Sequence, residues 1–148
     1  MLKGIDPRLN ADVLHALRGM GHSDTVVLTD TNFPAESVAR YSVLGKLLRM
    51  DNISTTHAAQ AILSVLPLDT MEPGFAGFMA SDTPDTPPPV HQEMQSLVKA
   101  SGYDEPMDPI DRFAFYDRAK GAYAVIQTGE RRFYGCFIFR KGVIAPDG

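Results

Sequence analysis

The sequence predicts an α/β fold, a single layered domain over residues 1–148 with a mixed β-sheet flanked by helices. Three observations carry this reading. Stretches with helical periodicity alternate with short runs rich in β-branched residues, the pattern of strands connected through covering helices. The last two strand-like runs, 122–128 and 133–140, are separated only by Gly129-Glu130-Arg131-Arg132, which reads as a hairpin and makes the sheet mixed. A length of 148 residues with 44% hydrophobic and 22% charged composition suits one domain with a real core.

The elements follow in order. Asn10 caps a helix running to about Met20, with Val13, Leu14, Leu17 and Met20 on one face and Gly21 as its stop. Thr25–Thr29 is an apolar, β-branched run, hence a buried strand. Residues 35–50 read as a second helix with Val38, Tyr41, Leu44, Leu47 and Leu48 turned inward. Thr55 or Thr56 starts a third helix that Pro67 ends, and 75–80 reads as a strand. The run Asp82-Thr83-Pro84-Asp85-Thr86-Pro87-Pro88-Pro89 is a loop. Helices are expected at 90–100 and 109–120, the second capped by Asp108 with Pro109 in its first turn.

Composition narrows the function. A net charge of -4 argues against a nucleic-acid partner, which would call for a basic face. No apolar run is long enough to span a membrane, and Met1–Pro7 lacks the apolar segment of a signal peptide, so a cytoplasmic location is expected. The single cysteine, Cys136, allows neither an intrachain disulfide nor a cysteine-cluster metal site. His15, His57 and His91 have no metal-ligand spacing and read as structural or surface residues. No phosphate-binding or nucleophile-elbow motif is present, so neither metal nor cofactor is expected.

The most informative stretch is Gly21-His22-Ser23-Asp24, the apolar strand, then Asp30-Thr31-Asn32-Phe33-Pro34. An imidazole at the turn before the strand exchanges protons near neutral pH, or simply donates to a turn carbonyl. A carboxylate at the strand's carboxyl end binds ligands, or caps the next segment. His22 and Asp30 are eight residues apart, about 26 Å if fully extended, so they meet over one small ligand only if Ser23-Asp24 folds His22 back or facing subunits supply the two groups. In a second block, Arg112 and Tyr116 share a helix face. Tyr134 and Cys136 share one side of the strand expected over 133–140. Arg112 alone reads as a solvated surface residue, Tyr134 as an ordinary strand tyrosine and Cys136 as a small buried hydrophobe.

Gly-His-x-Asp, an apolar strand ending in Asp, and Asn32-Phe33-Pro34-Ala35 resemble the opening of the fucose mutarotase / ribose pyranase family, the fucose branch more than the ribose branch. The second block is similar to that family's Arg-Phe-x-Phe-Tyr helix, Thr-Gly-Glu turn and following tyrosine. The resemblance implies a ribose-pyranase-like fold and interconversion of the α and β anomers of L-fucose or a related aldopyranose, without cofactor or metal. It implies His22 as the acid–base group, with Asp30, Arg112, Tyr134 and the Cys136 position holding the sugar. Cys136 stands where the family usually carries Asn. The resemblance also implies a ring-shaped homo-oligomer, commonly a decamer. Tyr103, Tyr123, Phe133, Phe137 and Phe139 exceed what one small sheet must bury and fit such an assembly. Ribose pyranose–furanose exchange, a non-catalytic sugar-binding module and a purely structural ring protein are the alternatives.

Overall fold

Three of the five helix starts are written in a side chain that satisfies free backbone amides. Asn10 accepts from the Val13 amide and opens α1, Ala11–Gly19; Ser54 accepts from the His57 amide and opens α3, Thr55–Leu63. Asp111 accepts from the Phe113 amide and opens α5, Arg112–Lys120. The computed structural model describes residues 1–148. The remaining elements are β1 Thr25–Thr29, α2 Ala35–Ala39, β2 Leu47–Met50, β3 Ala76–Met79, α4 Pro89–Ala100, β4 Asp108–Ile110, β5 Ala124–Thr128 and β6 Phe137–Arg140.

The strands form one six-stranded sheet in the order β2-β5-β1-β6-β3-β4. β6 runs antiparallel to both its neighbours, β1 and β3, while every other pair is parallel, so the sheet is mixed. Apolar side chains cover both faces. One core gathers Val13 and Leu17 of α1, Ala58 and Ile62 of α3, and Val90, Met94 and Val98 of α4 beneath Val26 and Leu28. The other packs Val38 of α2 and Phe115 of α5 against Val27, Val125 and Ile138.

Four expectations are corrected. The 35–50 stretch is not one helix: α2 ends at Ala39, Gly45 adopts φ +73°, and Leu47–Met50 becomes an edge strand beside β5, leaving Tyr41 exposed. The apolar spacing of Leu44, Leu47 and Leu48 does not separate helix from strand over so short a run. Second, β5 and β6 form no hairpin. The buried β1 needs partners on both edges and lies between them, so residues 129–136 cross over its end. Third, Asp108 and Pro109 belong to β4, where proline is tolerated at an edge, and the helix begins only after Asp111. Finally, of the five aromatic residues expected in excess, Phe137 and Phe139 are fully buried, Tyr103 and Tyr123 are half-buried, and only Phe133 is exposed.

Candidate active site

At the carboxyl ends of β1 and β3, where β6 begins, a cavity of about 310 Å³ is lined by Asp30, Asn32, Phe33, Met79, Arg112, Tyr116, Phe133, Tyr134 and Cys136. Its volume falls at the lower end of the small-molecule range. Four of the five residues expected to form the site therefore meet in one place, and His22 does not.

Asp30 directly follows β1 and is buried. Its Oδ1 accepts from the amides of Asn32 and Phe33, each at 2.9 Å, and its Oδ2 from the Gly135 amide at 3.2 Å. Both readings of this residue hold at once: it caps the turn and lines the cavity. A carboxylate offers about four lone-pair sites, so three donated amides fix its orientation and leave acceptor capacity toward the cavity. Arg112, the first residue of α5, reaches the cavity with its guanidinium 4.8 Å from the Phe113 ring centre. None of the chain's ion pairs engages it. Tyr116, one turn later, stacks edge-on against Phe33.

Tyr134 is not on a strand. It sits at φ +61° in the crossing segment, so Tyr134 and Cys136 share the cavity through a bend rather than through strand alternation. For a bulky residue this backbone costs about 1–3 kcal/mol and persists only where its surroundings over-determine it. Here the surroundings are specific. The Tyr134 carbonyl accepts from His91 Nε2 at 3.0 Å, and the phenol donates to Asp82 Oδ2 at 2.7 Å. The Asp82 contact raises the phenol's pKa. His91 lies between the rings of Phe78 and Phe137, and burial lowers its pKa, so it is a neutral structural residue.

The front of the same segment is held by Glu130, which is 4% exposed. Its carboxylate accepts from Arg132 Nε, the far guanidinium nitrogen and the Arg132 amide at 2.9, 2.9 and 3.0 Å. Burial pushes the Glu130 pKa up, but the Arg132 side-chain and backbone bonds outweigh it and hold it at about 2. Arg132 is held in turn by Glu93 at 2.8 Å. Behind, the buried Cys136 thiol is pushed far above its usual range by burial and then by the Asp30 charge, so it stays protonated.

His22 occupies the other end of β1. Ser23 at φ +70° and the Asp24 amide bonding to Gly21 O make a tight turn, but the turn does not return the imidazole to the cavity. β1 alone, at 5 residues, separates the two by about 17 Å. The half-exposed imidazole places Nε2 at 3.3 Å from Asp69 Oδ2, and Asp69 is 3% exposed. Arg140 Nε donates to the same oxygen at 2.8 Å, and the Met71 amide to Oδ1 at 3.1 Å. Burial would raise the Asp69 pKa, yet the Met71 amide, Arg140 and His22 together lower it. An Nε2–H donated to Asp69 leaves Nδ1 as the free acceptor.

Sequence reasoning missed Asp69, Arg140, Asp82 and the Glu130–Arg132 pair. The available signals were an acid two residues after Pro67, an arginine closing an apolar strand, and an acid opening a proline-rich loop. No group of three His, Cys, Asp or Glu side chains converges as metal ligands.

A mixed sheet with a polar and aromatic cavity at its strand ends, carrying a fixed carboxylate, a free guanidinium and two phenols, defines a small α/β protein built to hold a polyhydroxylated ligand. The chain belongs to the RbsD / FucU transport protein family, whose sequence profile matches residues 3–144. The fucose mutarotase of Danio rerio is 40% identical over 150 residues, covering 99% of this chain and 97% of its own. The crystal structure of protein Atu2016, described as a candidate sugar binding protein, shares 58% identity at a TM-score of 0.94, covering 98% of this chain and 97% of its own. The fucose mutarotase of Streptococcus pneumoniae, solved in complex with L-fucose, shares 33% identity at a TM-score of 0.89, covering 97% of this chain and 100% of its own. The ribose-pyranase-like fold and the family expected from the motifs are therefore borne out.

Proposed function

We propose that this protein is an isomerase that interconverts the α and β anomers of free L-fucose. The observation that carries the reading is the cavity itself, in a chain alike from end to end to fucose mutarotases. Asp30 and Arg112 offer acceptors and donors to the sugar hydroxyls, while Phe33, Met79 and Tyr134 offer apolar surface to the ring faces and the 6-methyl group. Cys136 contributes a protonated thiol and its backbone to the wall beside Asp30.

Mutarotation transfers a proton to the ring oxygen and removes one from the anomeric hydroxyl. The C1–O5 bond breaks, the aldehyde rotates, and the bond forms again with the hydroxyl on the other face. No redox step or metal is needed. In the cavity the Tyr134 phenol and the Cys136 thiol are both shifted upward, so neither exchanges a proton readily at pH 7. His22, whose Nε2 faces Asp69, is assigned here as the acid–base group, reaching the cavity of a second copy of the chain.

This requires two different surfaces to meet. Phe113 and Phe133 are exposed beside the cavity, and Met71 and Val143 near the His22 end. Association of unlike surfaces generates rings when the rotation closes. The decameric ring expected from the motifs has this character. A cytoplasmic setting agrees with a lone reduced cysteine, and no helix is long and apolar enough to cross a membrane.

Saturation-transfer NMR on equilibrated L-fucose, with D-ribose for comparison, tests the function. Faster α–β exchange of fucose than of ribose is the expected result, and no acceleration of either sugar by the folded protein overturns it. His22→Ala is expected to lose ~10²–10⁴-fold of the acceleration while remaining folded. Retained activity in that variant would refute the assignment of His22.

A further inference from the structure

We propose that Asp82, carried by the proline-rich 81–88 connection, is a positioning residue that sets the Tyr134 phenol in the cavity. The inference rests on the reading of the cavity as a sugar site. The backbone of Tyr134 is fixed by groups that do not touch its ring: His91 binds its carbonyl, and Asp30 accepts the amide of the next residue, Gly135. The ring itself is half-exposed, and its one polar tether is the 2.7 Å bond from the hydroxyl to Asp82 Oδ2.

The tether comes from a segment built to hold still. Prolines at 84, 87, 88 and 89 restrict the backbone, the Thr86 amide closes a turn on Thr83 O, and Pro89 starts α4. α4 carries His91, so the connection and the helix it leads into together grip Tyr134 at two points, ring and carbonyl.

The bond also decides what the phenol can do. Its proton is committed to the Asp82 carboxylate, so its lone pairs remain to accept from a sugar hydroxyl. The Asp82 contact raises the phenol's titration point and Arg112, across the cavity, opposes it. Because Asp82 is exposed, the bond adds little to folding stability. Its effect is expected in binding.

The experiment compares Asp82→Ala, Asp82→Asn, Tyr134→Phe and the Asp82→Ala/Tyr134→Phe double variant, each by fucose exchange NMR across sugar concentrations and by ultraviolet titration of phenolate. Asp82→Ala is expected to raise KM roughly five-fold, about the worth of one hydrogen bond, with the exchange rate at saturation held. Asp82→Asn, which keeps an oxygen acceptor, should recover most of the affinity. In the Tyr134→Phe background Asp82→Ala should add nothing. One phenol should titrate lower in Asp82→Ala than in the unmodified protein. An unchanged KM in Asp82→Ala, or the same loss with and without the Tyr134 hydroxyl, overturns the proposal. If the unmodified protein exchanges neither sugar, the sugar-site reading fails on its own, and the phenol titration still decides: an unmoved titration overturns the tether.

Discussion

Glu130→Gln should lower stability by about 2 kcal/mol at neutral pH, where buried charge-assisted bonds are lost one at a time. The carboxylate accepts three bonds from Arg132, two from the guanidinium at 2.9 Å and one from the amide at 3.0 Å. Glutamine keeps one acceptor oxygen but turns its amide N–H groups toward the guanidinium. About one charge-assisted bond, worth ~1.5–3 kcal/mol, is therefore lost. Arg132 is 40% exposed and keeps Glu93, so solvent screening holds the figure below that of a fully buried pair. For a chain of this size the melting temperature should fall by about 4–8 °C. The pH dependence separates this cause from simple loosening of the segment. Glu130 is depressed from 4.5 to about 2, so its contribution is present above 4.5 and disappears as pH falls toward 2. Urea titrations of both proteins across that window should converge as pH falls. A gap that persists at the acid end, or no gap at pH 7, would refute the ion pair as the source of the stability.

Two further predictions concern the two ends of β1. In Gly142→Ala the new Cβ would stand 2.5 Å from Leu68 O and 2.9 Å from Asp69 Cα, backbone that yields only by moving. A loss of about 1–3 kcal/mol is expected in thermal unfolding, together with a changed imidazole nitrogen spectrum for His22 as Asp69 shifts away. At the other end, burial and the neighbouring Asp30 charge keep Cys136 protonated. A thiol-specific chromogenic reagent at pH 8 should therefore react with the unfolded chain and not with the folded one. Rapid labelling of the folded protein would show that the cavity floor opens to solvent.

What could be read from the sequence was local. Asn10 and the Thr25–Thr29 run carry their cap or period within a few residues and stand where expected, and the third helix starts at Thr55 as expected but is capped by Ser54 and ends at Leu63, before Pro67. The 35–50 stretch failed because a short apolar run fits either period, and pairing with β5 decides between them. The hairpin failed because nothing near residues 129–132 reports that β1, a hundred residues earlier, occupies the slot between β5 and β6. The site divides the same way. Asp30, Arg112, Tyr134 and Cys136 stand in motifs and do meet in one cavity. Asp69 beside His22 and Asp82 beside Tyr134 are contacts between distant segments of chain, and no spacing rule reaches them.

β1 carries His22 before its first residue and Asp30 after its last, so on the proposed assignment a single rod would bear one half of each of two reaction centres. In a ring assembled from two differently disabled chains, one with His22→Ala and one with Arg112→Ala, neither pure population would turn over sugar. Random mixing would pair an intact imidazole with an intact cavity at about one junction in four, restoring activity to dead parents. By the same arithmetic each singly damaged copy would disable one centre and spare the other it touches, so mixing it with intact chains would lower activity only in proportion to the damaged fraction.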